Sequence, residues 1–177
     1  MKKLLLLSFV LYTSLVAGQT SISSSKVFSC QQIEKANDAK FSLFAAKASV
    51  IDLLCSPVGS GDEKEVESTK ERNMYFEKEH NVVWIKFTAL STSRLAISIA
   101  PKSPKDDYDF LLFKEDGVDS KAKIANKELK PIRSNIARTK DINNGLTGLT
   151  FDAENLYMSE GVKSGFSKYI EVKENEN

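Results

Sequence analysis

The stretch 82–100 reads VVWIKFTALSTSRLAISIA, and its side-chain pattern decides the fold class. Its first nine residues are rich in branched and aromatic side chains, which favour β-strands. The last seven alternate, so that Leu95, Ile97 and Ile99 fall on one face. The stretch therefore predicts two successive strands, each with one face turned towards a core.

Shorter segments of the same β-forming character flank this stretch, at 73–78, 108–114, 132–138 and 168–173. Between them lie residues that favour turns, such as the Asn-Asn-Gly run at 143–145. Short strands at this spacing predict a mainly all-β chain, an antiparallel β-sandwich that follows a short helical or irregular segment. The residues expected to form its core are Trp84, Phe87, Leu95, Ile97, Ile99, Phe110 and Ile170.

The N-terminus has the three-part arrangement of a secretory signal. Lys2 and Lys3 precede a nearly unbroken apolar run over 4–16, and small residues follow at 16–18. This arrangement predicts a cleaved signal peptide over 1–18. The apolar run is shorter than the roughly 20 residues of a membrane-spanning helix. The protein is therefore expected in the periplasm, on the outer-membrane surface or outside the cell.

The remaining chain has the length of one domain. Residues 19–29 are expected to form a flexible mature N-terminus, and residues 30–177 the β-sandwich domain. The last predicted strand is followed by Glu-Asn-Glu-Asn at 174–177, which is turn-forming chemistry. We therefore expect the domain to lack its closing C-terminal strand and to have an apolar gap beside Ile170 and Val172.

The charge balance narrows the class of partner. The formal net charge is +1 and no basic stripe occurs, which argues against a nucleic-acid partner. No second apolar run is long enough to span a bilayer, so no transmembrane span is expected after signal cleavage.

The two cysteines, Cys30 and Cys55, have two readings. An even count in an exported protein favours a disulfide, whereas two buried free thiols are the alternative. The pair Ser29 and Gln32 resembles a capping box and predicts the start of a helix. A continuous helix over 30–55 would separate the cysteines by roughly 37 Å, whereas a disulfide needs Cα atoms within about 7 Å. We predict the Cys30–Cys55 bridge and only a short helix.

Candidate catalytic and zinc-binding residues are scarce. His80 is the single histidine and lies among charged residues before a predicted strand, where a turn residue is the simpler interpretation. Zinc needs several histidine or cysteine ligands, and the cysteines are expected to be bridged. We predict no catalytic residue, no enzymatic activity and no cofactor other than calcium.

The densest acidic cluster is Asp106, Asp107 and Asp109. Calcium prefers several carboxylate and carbonyl oxygens, so these three residues are candidate calcium ligands. The alternative is that a carboxylate at the start of a strand accepts backbone hydrogen bonds or pairs with Arg133.

Two further sets of residues are candidates for carbohydrate binding. Trp84, together with Tyr75, Phe76 and Phe87, forms either an aromatic platform for a sugar or part of the core. The basic stretch at 121–130 is either a solvated, irregular loop or a contact for a glycan or acidic polymer.

Several segments together resemble a known module. Their order is FEKEHNVVWIKFTA at 76–89, DDYDFLLF at 106–113, PIRSNIAR at 131–138, GLTGLT at 145–150 and SEGVKSGFSKYIEVK at 159–173. The series resembles the bacterial pre-peptidase C-terminal type of jelly-roll domain found in gram-negative envelope and secreted proteins. Such modules often accompany outer-membrane-protein-A-type domains. The resemblance implies a jelly-roll fold and an accessory, non-catalytic role.

The sequence therefore predicts a non-catalytic extracytoplasmic binding or spacer module of the cell envelope or of a secreted protein. Its expected partner is an envelope protein, a glycan or a peptidoglycan-linked molecule. Two alternatives remain at this point. One is a secreted hydrolase, and the other is the N-terminal fragment of a longer, peptidoglycan-anchored outer-membrane protein.

Overall fold

The computed structural model describes residues 25–36, 43–45, 49–58, 64–138, 142–161 and 164–177. The predicted signal peptide lies outside the described residues. In the described part of the chain, no helix is long and apolar enough to cross a membrane.

The chain is rich in short strands and contains two short helices in the part described. The elements are β1 Ser25–Phe28, α1 Cys30–Lys35, β2 Leu43–Phe44, β3 Val50–Leu53, β4 Ile85–Lys86, β5 Ser93–Leu95, β6 Ile97–Ile99, β7 Phe110–Leu112, α2 Ser120–Ala125, β8 Arg133–Asn135, β9 Thr147–Thr150, β10 Tyr157–Met158, β11 Phe166–Lys168 and β12 Ile170–Val172.

The strands form five small sheets. Their orders are β1-β3, β10-β8-β7, β11-β9-β6, β12-β5 and β2-β4. The β-rich class is confirmed, but the expectation of antiparallel pairing is only partly correct. The pairs β1/β3, β2/β4, β8/β10 and β9/β11 are parallel, whereas β5/β12, β6/β9 and β7/β8 are antiparallel. Each parallel pair is joined by a long crossover connection, as parallel strands require.

The alternation over 94–100 is confirmed. Leu95, Ile97 and Ile99 are half-buried, and the residues between them are exposed. The segment breaks at Ala96, where it changes partner. Before the break β5 pairs with β12, and after it β6 pairs with β9. One continuous stretch therefore joins two sheets.

Other strand predictions were too long. The aromatic stretch 82–90 contains only β4, and 73–78 contributes a single parallel bridge between Glu67 and Phe76. The stretch at 121–130, predicted to be irregular, contains most of α2. Its Lys-Ala-Lys-Ile-Ala sequence is compatible with a helix, and burial of Ile124 anchors it.

The N-terminal part begins with a strand followed by a capped helix. Strand β1 lies within the segment 19–29 that was expected to be flexible. The predicted capping box is present, because the Ser29 hydroxyl accepts the Gln32 N–H at 3.3 Å and the Gln32 side chain accepts the Ser29 N–H at 2.9 Å. The helix ends at Lys35 and is short, as expected.

Two apolar clusters hold the fold together. The first consists of Phe28, Ile33, Ala36, Leu43 and Ala45. The second consists of Ala89, Leu149, Ile170 and Val172, with Leu95, Ile97, Phe110, Leu112 and Ile132 packed against it.

The predicted core is only partly correct. Ile170 is buried, whereas Trp84, Phe87, Leu95, Ile97, Ile99 and Phe110 are half-buried. Sheets of two or three strands leave most residues close to an edge, which limits how deeply a side chain is covered.

The contact between β6 and β9 requires a glycine. Gly148 has φ +144°, and a Cβ atom built there would lie 2.0 Å from the carbonyl oxygen of Ile97. Only a residue without a side chain allows this approach.

Candidate functional site

The predicted disulfide is present. Cys30 and Cys55 are bonded, with their Cα atoms 5.1 Å apart. Strands β1 and β3 are parallel, and Phe28 pairs with Leu53. Cys30 lies two residues after the end of β1, and Cys55 lies two residues after the end of β3. The disulfide therefore joins the two strands just beyond their last paired residues. This role is structural.

The single histidine lies on the surface. His80 is exposed, whereas its neighbour Glu79 is only 1% exposed. The buried carboxylate is therefore the more unusual group of the two, although no motif in the sequence marks it.

Glu79 belongs to a buried polar cluster that also contains Tyr75 and Lys127. Its Oε2 accepts the N–H of Val66 at 2.9 Å, and its Oε1 is buried without a hydrogen-bond partner in the described part of the chain. Burial raises the pKa of Glu79, and the bond from Val66 and the charge of Lys127 oppose that rise. The cluster thus contains a carboxylate that is costly to ionise.

Lys127 connects the cluster to the end of α2. Its Nζ donates to the carbonyl oxygen of Glu65 at 2.5 Å and lies 4.6 Å from the centroid of the Tyr75 ring. Burial lowers the pKa of Lys127, and Glu79 is the first of several carboxylates that oppose this change. Tyr75 and Glu79 are shielded from solvent, and the hydrogen bond from Lys127 links the loop at 64–80 to the end of α2.

The three aspartates precede β7 rather than lying within a strand. Among the described residues, no group of three or more His, Cys, Asp or Glu side chains is arranged to hold a metal ion. Asp109 is exposed as a residue, but its carboxyl group has lost part of its hydration. That desolvation, together with the charge of Asp107, raises the pKa of Asp109 to about 7. The alternative partner, Arg133, binds backbone carbonyl groups instead.

The aromatic residues do not form a common platform. Tyr75 is fully buried and Phe87 packs against the first apolar cluster. The Trp84 ring lies 5.9 Å from the Phe113 ring, and the Lys121 ammonium lies 5.5 Å from the Trp84 centroid. Trp84 therefore packs against Phe113 and Lys121 rather than forming a platform with the buried Tyr75.

The lysines of the stretch 121–130 also have intramolecular partners. Lys123 pairs with Asp116 at 2.7 Å, and Lys130 pairs with Glu71 at 2.8 Å. Carboxylates therefore balance the charges of Lys123 and Lys130, while Lys121 and Lys127 lie over aromatic rings.

A different surface combines positive charge with aromatic groups. A groove of about 300 Å³ is open to solvent and is lined by Arg133, Leu156, Lys168, Tyr169 and Glu171. Strand β8 supplies Arg133, β11 ends at Lys168, and Tyr169 joins β11 to β12. We call this surface the basic-aromatic groove.

Arg133 is fixed by backbone groups. Its Nε and one terminal nitrogen donate to the carbonyl oxygens of Lys168 and Tyr169, both at 2.8 Å. The other terminal nitrogen donates to the carbonyl oxygen of Ile132 at 2.5 Å. A guanidinium group has five N–H donors, so these three bonds leave two. Burial lowers the pKa of Arg133 from its ordinary value, but guanidinium groups remain charged in proteins.

Tyr169 is the centre of the groove's aromatic part. The Arg94 guanidinium lies 5.1 Å from its ring centroid, the Lys168 ammonium 5.7 Å and the Phe151 ring centroid 5.4 Å. Two apolar side chains beside it are notably exposed, Phe151 at 56% and Leu156 at 42%. Exposed apolar groups that border polar ones are typical of binding surfaces.

The groove concentrates positive charge. Of the residues that line the groove, Arg133 and Lys168 are positive and Glu171 is negative, and Arg94 adds a further positive charge beside Tyr169. Arg94 lies opposite Glu171 in the β5/β12 register. In the described part of the chain, none of the three cations forms an ion pair within 4.0 Å. This arrangement favours an anionic ligand.

A smaller apolar cavity lies beside Ile170 and Val172. It has a volume of about 70 Å³, and Glu176 and Asn177 line part of it. The C-terminal residues are hydrogen bonded there, since the Ala89 N–H donates to the carbonyl oxygen of Glu176 at 2.8 Å. A cavity of this size holds only a small group, so it is the weaker candidate for a ligand site.

Comparison with known proteins finds no matching family model, no matching curated protein and no matching solved structure. The candidate site therefore rests on its geometry, and the resemblance to the jelly-roll module stays a prediction.

Part of the groove could be predicted from the sequence. Because Ile170 and Val172 were predicted to face inward, Tyr169 and Glu171 had to face outward. Arg133 and Leu156 could not be assigned to the same surface, because they reach it from distant parts of the chain.

Proposed function

We propose that this protein is a non-catalytic, extracytoplasmic β-sandwich module that binds a ligand of the cell envelope at the basic-aromatic groove. The observation that carries the proposal is the groove itself, where the cations near Tyr169 form no ion pair with a carboxylate of the described residues. Grooves that combine apolar rims with a few fixed polar groups are typical ligand sites.

Three further observations support the location and the architecture. The N-terminal charge and apolar pattern is that of a secretory signal. The Cys30–Cys55 disulfide is compatible with an oxidising compartment. Short strands packed around two apolar clusters are compatible with a small β-rich module.

Co-sedimentation tests the binding role. The purified protein is mixed with insoluble envelope polymers prepared from the organism that produces it, and the bound fraction is measured. We expect binding by the wild-type protein and a marked loss for the double variant Arg94→Gln and Lys168→Gln. A matched control is Arg138→Gln with Lys70→Gln, which removes the same charge from exposed positions outside the groove. Equal binding by both double variants would show that the groove is not the site.

The proposed export has its own test. N-terminal sequencing of the protein recovered from outside the cytoplasm should begin at or next to Gln19. Recovery only from the cytoplasm, with the N-terminal residues retained, would contradict export.

A further inference from the structure

We infer that the basic-aromatic groove binds a carboxylated sugar unit of an acidic polysaccharide. This inference rests on the proposed function and names its class of ligand. It is drawn from the kinds of groups that line the groove and from the way in which Arg133 is held.

The cations determine that the ligand is an anion. Arg133 is locked by three backbone carbonyl groups and retains two N–H donors. A guanidinium group fixed in this way loses little conformational entropy when it binds a planar carboxylate. Lys168 adds a second charge at the same groove.

The aromatic and aliphatic groups point to a sugar ring. Tyr169 lines the groove, and Phe151 and Leu156 expose apolar surface beside it. The C–H faces of a pyranose ring are apolar and pack against such surfaces, while its hydroxyl groups need polar partners. A simple inorganic anion would leave these apolar groups uncovered.

Glu171 selects against a densely charged polymer. Its carboxylate lines the same groove and would repel the closely spaced charges of a polyphosphate or a nucleic acid. The same carboxylate accepts hydrogen bonds from sugar hydroxyl groups. One negative charge per ring, together with several hydroxyl donors, matches the two cations and one carboxylate that line the groove, with Arg94 beside them.

The size and openness of the groove fit part of a chain. Its volume of about 300 Å³ lies at the lower end of the range for small-molecule sites. Because the groove is open to solvent, a polysaccharide can enter it without its ends being buried. The expected affinity for a short fragment is modest, and binding should weaken as salt screens the charges.

Isothermal titration calorimetry with defined oligosaccharides tests this inference. The probes are an oligogalacturonate, a neutral oligosaccharide of the same length and a sulfated one. We expect the oligogalacturonate to bind at least about tenfold more tightly than the neutral probe, which is the effect of one charge-assisted hydrogen bond. The variant Lys168→Gln should lose about the same factor, whereas Lys70→Gln should bind like the wild type.

Tyr169→Ala should weaken binding of every sugar probe, whereas Tyr169→Phe, which keeps the ring, should retain most of the affinity. Near-ultraviolet circular dichroism checks that each variant keeps its packing. The inference is supported if oligogalacturonate binding is lost in Lys168→Gln and in Tyr169→Ala but is unchanged in Lys70→Gln.

Two results would overturn it. The first is that the neutral and carboxylated probes bind with equal affinity and that Tyr169→Ala weakens both. This result would reject an acidic ligand but leave the groove as the binding site. No binding of the oligogalacturonate would also reject the ligand class, and the co-sedimentation result would then decide separately whether the groove binds another envelope polymer.

Discussion

Removing the Cys30–Cys55 bridge should destabilise the fold more than any single truncation of an exposed side chain. The bridge joins residues 25 positions apart. For a loop of about 25 residues, the chain-entropy model gives a contribution of about 3.5 kcal/mol at 25 °C. Both cysteines are half-buried, so replacing them with alanine adds little loss of packing.

The structure indicates which strands should lose stability when the bridge is removed. Strand β1 pairs only with β3 in the described part of the chain, and the bridge continues this pairing by two residues. The double variant Cys30→Ala and Cys55→Ala should therefore lose the order of β1 before the second apolar cluster opens. A destabilisation of about 3.5 kcal/mol corresponds to a fall in Tm of roughly 7–14 °C for a domain of this size.

Urea unfolding of the oxidised wild type and the double variant measures the difference. Hydrogen exchange of the β1 and β3 amides tests its location, and mass spectrometry of the unreduced protein confirms the bond. If the free energy of unfolding falls by less than about 1 kcal/mol, the bridge does not constrain the unfolded chain as the chain-entropy model assumes. Two alkylatable thiols in the unreduced protein would refute the bridge itself.

Three further variants test the core and the buried carboxylate. Gly148→Ala should lower stability by more than about 2 kcal/mol, because the new Cβ meets the carbonyl oxygen of Ile97; a neutral result in urea unfolding would contradict the close approach. Leu149→Ala should cost about 2–5 kcal/mol, whereas the exposed control Val118→Ala should change stability by no more than about 0.5 kcal/mol. Because burial raises the pKa of Glu79 in the folded state, wild-type stability falls as pH rises from the ordinary carboxyl pKa to the raised one. Glu79→Gln removes this fall, so its Tm relative to wild type should be higher at pH 8 than at pH 4, and a difference independent of pH would contradict the assignment.

Local sequence patterns predicted local structure well. The alternation of Leu95, Ile97 and Ile99 gave the correct buried face, because side chains on a strand alternate wherever it lies. The pair Ser29 and Gln32 gave the helix start, because a capping box depends on residues three positions apart.

Pairings between distant segments were harder to predict. The parallel pairs β8/β10 and β9/β11 depend on crossovers that strand propensity does not encode. The basic stretch at 121–130 was predicted to be irregular although its lysines and alanines favour a helix, and burial of Ile124 stabilises α2.

The candidate site was the least predictable feature. The groove brings Arg133 beside Tyr169, 36 positions later in the chain, through a hydrogen bond to the carbonyl oxygen of Tyr169. By contrast, the lysines that were conspicuous in the sequence pair with Asp116 and Glu71 or lie over aromatic rings. Charge density along the chain was therefore a poor guide to charge density on the surface.

The central claim is that the basic-aromatic groove binds an envelope ligand, and an NMR titration tests it most directly. Backbone amide shifts of the ¹⁵N-labelled protein are followed while soluble fragments of the envelope polymer are added. The account predicts that the largest shift changes cluster at the amides of Arg133, Lys168, Tyr169 and Glu171, with smaller ones at Phe151. Changes centred on another surface, such as the lysines at 121–130, or no changes at saturating fragment, would contradict it.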